Sequence, residues 1–288
     1  MKVFLNGKYL PREQAVISVD DRGFLLGDGV YEVVRVYRGR PFQFEAHLKR
    51  LENGLKAVQI QGVDLPNLRP IAERLLAENE LHQSDGTIYI QITRGVAPRQ
   101  HAFPDGEISP TVFVAVAPLT SQQHTPQKMI TAILIPDVRW ARCDVKTISL
   151  VANVLAKQHA IEAGVMEAIL VRDGVALEGT SSNLFAVFDE EVFTYPKTNR
   201  ILPGVTRDVV LECCRREGIP YREFPIYEQQ IYQAQELFIT STTLEIAPVV
   251  ELDHQVINDG NPGPITSRLQ KAFRDFVKRF LEEKLDKP

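Results

Sequence analysis

Two β-branched runs, Thr87-Ile88-Tyr89-Ile90-Gln91-Ile92-Thr93 and Thr111-Val112-Phe113-Val114-Ala115-Val116, flank an irregular stretch from Gly95 to Pro110. Such residues suit a pleated, half-buried surface, so both runs are expected as sheet strands. The stretch between them holds Arg99, His101 and three prolines. A connection of that length is uncommon unless it has a task.

The surrounding pattern mixes strands with helices. Val3-Phe4-Leu5 meets Asn6-Gly7, the dipeptide best suited to two positive-φ turn positions. A second hairpin is expected from Val30 to Tyr37, turning at Arg38-Gly39 and returning through Pro41 to Phe44. Alternation puts Tyr31, Val33, Arg35 and Tyr37 on one face. From Glu45 to Val58 the leucines at 48, 51 and 55 and Val58 form one helical stripe, and another helix runs through Ile71, Leu75 and Leu76. From Pro118 to Pro126 the chain turns polar and Gln/Thr-rich, which reads as a linker over 119–126 between domains 1–118 and 127–288. Beyond it, a strand from Met129 to Ile135 leads into Asp144-Val145-Lys146, and a helix from about Leu150 to Ala163 ends at Gly164. Strands Ala168–Val171 and Val175–Glu178 turn at Asp173-Gly174. Further strands (Leu184–Phe188, Leu237–Thr240, Val249–Leu252) and helices (Thr206–Glu217, Thr266–Leu281) follow. The fold class is α+β or mixed α/β in two domains.

A formal net charge of −4 offers no basic field for a phosphate backbone, so nucleic acid is not an expected partner. No apolar run approaches the ~18 residues of a membrane span, and the apolar start is too short for a signal-peptide core. Cys143, Cys213 and Cys214 cannot build a disulfide framework, which suggests reduced thiols in the cytoplasm. Zinc-type His and Cys spacing is absent from the sequence, so no metal is expected.

Several segments combine hydroxyls, glycine and charge. Leu202-Pro203-Gly204-Val205-Thr206-Arg207 runs into a helix whose N-terminus suits a phosphate; it also reads as an ordinary helix start with Thr206 as N-cap. Thr240-Ser241-Thr242-Thr243 is a second possible phosphate contact or a solvated strand end, and Arg50 by itself is an ordinary surface charge. Lys146 stands at the end of a strand-like segment, near Trp140, Cys143, Ile148 and Leu150. It reads either as an ordinary solvated lysine or as a partly desolvated amine whose neutral form makes a Schiff base with an aldehyde. Glu178 enters the donor-rich loop Gly179-Thr180-Ser181-Ser182-Asn183. It is either a solvated strand end or the acid that keeps a pyridine nitrogen protonated.

Taken in order, the chain resembles the fold-type IV pyridoxal-phosphate enzymes over nearly its full length. The resemblance is carried by Asp21-Arg22-Gly23, Gly27-Asp28-Gly29-Val30-Tyr31-Glu32, His47-Leu48-Lys49-Arg50-Leu51, Lys146, Glu178 to Asn183, Leu202 to Arg207 and Thr240 to Thr243. That family implies a smaller N-terminal α/β sandwich, a larger C-terminal domain with a pseudobarrel, a homodimer, and pyridoxal 5'-phosphate as cofactor. By resemblance Lys146 is the Schiff-base lysine and proton carrier, and Glu178 is the partner of the pyridine nitrogen. Arg50, Val205, Thr206 and Thr242 match phosphate-holding positions, with Ser181, Leu202, Gly204 and Ser241 beside the cofactor.

The long loop bears on the substrate. Arg99-Gln100-His101 with Tyr89 matches the D-amino acid aminotransferase pattern, in which an Arg-x-His pair and a tyrosine bind the α-carboxylate across the dimer interface. Tyr31, Val33 and Ser182 complete the substrate set that the resemblance implies. The expected activity is transamination between D-amino acids and 2-oxo acids. Branched-chain and amine transaminases and aminodeoxychorismate lyase share the fold but fit the Arg-x-His pair less well, and a phosphate-ligand binding module without turnover is the alternative outside enzymology.

Overall fold

Asn6 and Gly7 take φ of 47° and 84°, the two left-handed positions that a tight hairpin needs, and join β1 (Lys2–Leu5) to β2 (Lys8–Pro11). The computed structural model describes residues 1–119 and 129–283. Within these, 1–119 with 145–150 form one compact unit and 129–144 with 151–283 another. Of the expected linker 119–126, residues 120–126 lie outside the described residues.

The first unit adds α1 (Arg22–Leu26), β3 (Gly29–Tyr37), β4 (Arg40–Pro41), α2 (Phe44–Ala57), α3 (Leu68–Glu78), β5 (Gly86–Thr93) and β6 (Thr111–Pro118). Its six strands pair antiparallel in the order β2-β1-β6-β5-β3-β4. Helix α2 packs on β3, and α3 on β6 and β1. The shared core holds Leu51 and Leu55 of α2, Leu75 and Leu76 of α3, and Val34, Ile88, Ile90 and Val114 of the sheet. Each such side chain removed from water stabilises the unit by ~1.5–3 kcal/mol.

The second unit comprises β7 (Ile130–Pro136), α4 (Val151–Glu162), β8 (Glu167–Arg172), β9 (Val175–Gly179), β10 (Asn183–Phe188), β11 (Glu191–Thr194), α5 (Val205–Glu217), β12 (Tyr221–Glu223), β13 (Ile226–Tyr227), α6 (Glu228–Ile231), β14 (Glu236–Ser241), β15 (Glu245–Leu252), β16 (Gln255–Val256) and α7 (Pro264–Glu282). Strands β10, β14, β15, β7, β8 and β9 pair in sequence, and β9 returns to β10 through Glu178↔Asn183. The sheet therefore closes on itself, which gives this mixed α/β unit the expected barrel.

Two expectations need correction. Residues 145–150 do not belong with their sequence neighbours in the second unit. Tyr31 N–H donates to the Lys146 carbonyl (3.0 Å), Ile148 N–H to the Gly29 carbonyl (3.1 Å), and Val30 bridges Thr147, so this piece pairs with β3. Lys146 thus ends no strand of its own unit but sits on a short extended piece laid against β3. The second hairpin is also shorter than expected: only Arg40 and Pro41 pair back, and Phe44 already opens α2.

Candidate active site

Register does much of the positioning in the first unit. Strand β3 pairs Tyr31 with Gln91 and Val33 with Tyr89, so Tyr31, Val33 and Tyr89 stand half-buried side by side. The two tyrosine rings lie 5.9 Å apart, and Tyr89 donates to Gln91 Oε1 at 2.6 Å. The Lys146 amine rests 4.1 Å from the centre of the Tyr31 ring. A protonated lysine there gains ~0.5–2 kcal/mol from the ring, depending on solvation.

On the opposite face of β3 lies a charge cluster of Glu32, His47 and Arg50, all three within the quoted motifs, of which the resemblance assigns a role to Arg50 alone. Glu32 is buried; its carboxylate accepts from Arg50 Nε (2.6 Å) and Nη2 (2.8 Å) and pairs with His47 Nδ1 (2.8 Å). Burial raises the Glu32 carboxyl's affinity for a proton, but Arg50 and His47 outweigh it and hold its pKa down at about 2. Burial, with the charges of Arg50 and Lys146, keeps His47 below its ordinary value against the pull of Glu32. Arg50 is therefore an oriented guanidinium rather than a loose surface charge. The period that would have found Glu32 is legible: it precedes Val33 on β3, pointing to the opposite face toward α2.

In the second unit Glu178 is fully enclosed by polar partners. Arg139 Nη1 donates to it at 2.6 Å, Asn183 Nδ2 at 3.0 Å, and Leu202 N–H at 3.1 Å to each oxygen. Arg139 also grips Asp137 (2.9 Å), which Arg172 approaches at 2.9 Å. Burial pushes the Glu178 carboxyl up to about 7 against the opposing pull of Arg139. Arg139, Asp137 and Asn183 were not singled out in the sequence, where only Asn183 stood inside a quoted motif. Ser181 is exposed, whereas Ser182 is buried with its hydroxyl donating to Glu167 at 3.0 Å.

The same amide of Asn183 donates to the Leu202 carbonyl (2.9 Å), tying Glu178 to the turn before α5. A Cβ on Gly204 would come within 2.0 Å of Asn183 Oδ1, so only glycine lets the backbone pass there. Gly204 is the N-cap of α5 and offers no capping side chain, followed by buried Val205 and Thr206. Helix α7 differs: Glu236 fills its N-terminus, accepting from Ile265 N–H (2.9 Å) and Thr266 N–H (2.7 Å). The first N–H groups of α5 have no intrahelical acceptor and suit an anion. Strand β14, on which α5 packs, ends at half-buried Ser241, with half-buried Thr242 next in the turn and buried Thr240 before it, whose Oγ1 has no partner among the described residues.

Arg99 and His101 stand exposed on the 95–110 loop, and neither makes a hydrogen bond or ion pair among the described residues. No group of His, Cys, Asp and Glu able to hold a metal occurs among those residues. No helix there is long and apolar enough to cross a membrane.

The family described as amino-transferase class IV matches residues 29–252. A D-alanine aminotransferase of Bacillus licheniformis is 39% identical over 96% of this chain and 97% of its own. That of Staphylococcus haemolyticus is 36% identical, covering 96% and 98%. The branched-chain amino acid aminotransferase of Escherichia coli superposes with a TM-score of 0.91 at 27% identity, covering 99% of this chain and 97% of that one. The T.th. branched-chain amino acid aminotransferase, complexed with N-(5'-phosphopyridoxyl)-L-glutamate, superposes at 0.86 with 26% identity, covering 96% and 94%. With matches of this extent behind the lysine, the buried glutamate and the uncapped helix, the chain belongs to the class IV aminotransferases.

Proposed function

We propose that the chain moves amino groups between D-amino acids such as D-alanine and 2-oxo acids such as 2-oxoglutarate, by a ping-pong mechanism, with pyridoxal 5'-phosphate as cofactor. The observation that carries this reading is the Lys146 amine held over Tyr31 on the face shared with Val33 and Tyr89. Cofactor fit rests on the donor set: a helix N-terminus that no side chain caps and, on the strand it packs against, the orphaned Thr240 hydroxyl. Val205, Thr206, Ser241 and Thr242, with Arg50, would hold the phosphate. Leu202, Gly204 and Ser181 would border the ring, and Glu178 would face its nitrogen. When bound, the cofactor supplies an electron sink for the bond broken at the substrate Cα.

The chain's own residues do the rest. Lys146 would accept the proton released from the substrate Cα and pass it, within the same half-reaction, to the cofactor carbon that gains the amino group. Arg139 and Asn183 fix the Glu178 carboxylate, whose charge stabilises a protonated ring nitrogen. Arg99 and His101 supply donors for the substrate α-carboxylate, beside Tyr31, Val33, Tyr89 and Ser182. We read residues 119–126 as the linker between domains 1–118 and 127–288, the latter ceding 145–150 to the first, and we place the enzyme in the cytoplasm.

An absorbance trace tests the reading. The visible band of the purified holoenzyme should fall on adding D-alanine and stay on adding L-alanine. A response to branched L-amino acids alone would transfer the assignment to the branched-chain side of the family, whose structures are also similar.

The reading includes a homodimer. Helix α4 exposes Val151, Val154, Leu155 and Ile161 at helical spacing, an apolar face that none of the described residues covers. Leu155→Glu should weaken dimerisation at least ~30-fold, the effect of about 2 kcal/mol at a buried interface position. Sedimentation equilibrium would show it, and an unchanged dimer places the interface elsewhere.

A further inference from the structure

Two of the motifs quoted from the sequence, Asp21-Arg22-Gly23 and Gly27-Asp28-Gly29, touch none of the groups assigned above, yet both are built with unusual care. Asp21 is buried; one oxygen caps α1 through Gly23 N–H (2.8 Å), and the other accepts from Thr93 Oγ1 (2.9 Å) and Thr111 Oγ1 (2.6 Å). It thereby pins the two ends of the 95–110 loop, where β5 stops and β6 starts, to one carboxylate. A Cβ on Gly23 would lie 2.2 Å from Thr93 Cγ2, so α1 can sit this close only with glycine there. Gly95 takes φ of 102°, and a Cβ there would lie 2.2 Å from the Ser109 carbonyl oxygen.

The second carboxylate, Asp28, is gripped by two guanidiniums. Arg22 Nε donates to it at 2.9 Å, and Arg94 donates from Nε (2.7 Å) and Nη2 (3.0 Å). Burial raises the Asp28 carboxyl, but the two arginines outweigh it and leave it below its ordinary value. Arg94 is anchored further on the carbonyls of Gln59 (2.9 Å) and Val58 (2.7 Å), and its guanidinium lies 3.9 Å from the Phe103 ring centre. Arg22, 2% exposed, also reaches one atom of the loop: Nη1 donates to the carbonyl of Gln100 at 2.7 Å. Gln100 is the residue between Arg99 and His101. The bond therefore fixes the Gln100–His101 peptide, one residue beyond the Cα of Arg99 and next to that of His101.

We propose that Arg22, locked by Asp28 and Arg94, is the positioning residue of this loop and sets Arg99 and His101 in place to receive the substrate carboxylate. The inference rests on the reading that those two residues bind that carboxylate. A buried charged hydrogen bond to a loop carbonyl replaces the loop's own lack of regular structure, so the ordering is done before substrate arrives and not by it.

The test uses the holoenzyme and two readouts. In Arg22→Gln, cleavage of the loop by trypsin after exposed Arg99, without substrate, should quicken at least ~10-fold. KM for D-alanine should rise ~10-fold or more, with kcat changed less than ~3-fold, since a carboxylate contact common to ground and transition states is lost. Arg99→Ala should raise KM similarly, and Arg22→Gln placed in that background should add little, because both act through one contact. Asp28→Asn, which keeps the shape of the clamp, should give a smaller rise in both readouts should the buried Arg22→Gln chain fail to fold. Unchanged cleavage after Arg99 in whichever of these variants folds overturns the proposal, as does a kcat loss without a KM rise. Arg99→Ala with an unaltered KM instead removes the carboxylate reading beneath it, and the cleavage data on Arg22→Gln separate that failure from failure of the clamp.

Discussion

Lys146→Ala should lower single-turnover transamination of D-alanine by at least ~10³-fold, because in the proposed mechanism it removes both the attachment point and the proton carrier, and positioned proton transfer alone contributes about 10²–10⁴. The fold should survive the change. Lys146 is half-buried and its backbone, not its side chain, pairs with β3. Its side chain gives up only the contact with the Tyr31 ring. Melting temperature should therefore move by a few degrees at most. Small primary amines added in solution should restore part of the lost rate, as expected when the missing group is a base with an empty place to act from. Turnover of Lys146→Ala within tenfold of the wild type would remove the lysine from the chemistry.

Glu32→Gln should be the most damaging single change to stability in the first unit. The carboxylate is buried between Arg50 and His47 at hydrogen-bond distance from both. Removing its charge leaves an arginine without that counter-charge in the interior, which typically costs about 3–5 kcal/mol. The pH profile carries the sign of the effect. Glu32 goes from an ordinary 4.5 to about 2 in the folded chain, so its contribution is present in full above pH 4.5 and is lost as pH falls toward 2. A shift of that size corresponds to about 3 kcal/mol. Chemical denaturation of wild type and Glu32→Gln between pH 6 and 3 should show the gap between them narrowing with acid. A gap constant over that range would mean that the pairing adds nothing beyond shape. Cofactor affinity should fall as well, since Glu32 is what orients the Arg50 guanidinium.

Much of this architecture is legible in residue order because it is local. The Asn6-Gly7 turn, the leucine stripe of α2 and the β-branched runs of β5 and β6 follow from spacing alone. The short strands β11, β12, β13 and β16 were not legible. They span two to four residues, too few for a period, and exist because a neighbouring strand offers an edge. The same division holds at the site. Lys146, Glu178 and the 202–207 turn could be picked out by motif. The partners that tune them, Arg139 for Glu178 and Glu32 for Arg50, come from 39 and 18 residues away in sequence. Strand alternation turns Glu32 toward α2, but a single sequence does not say which side chain it meets there, and nothing in it joins Arg139 to Glu178. The placement of 145–150 was missed for a related reason: six residues paired to β3 look like any connection until their hydrogen bonds are traced.

That borrowed piece constrains the order in which the protein can mature. When the ribosome has made the first 119 residues, every strand of the N-terminal sheet and both large helices are available, but Val145 and the peptide that pairs with Tyr31 have yet to be translated. The nascent N-terminal half must wait, its β3 backbone and core short of one contribution, until the segment 145–150 has emerged. Separate expression of that half would inherit the same gap permanently.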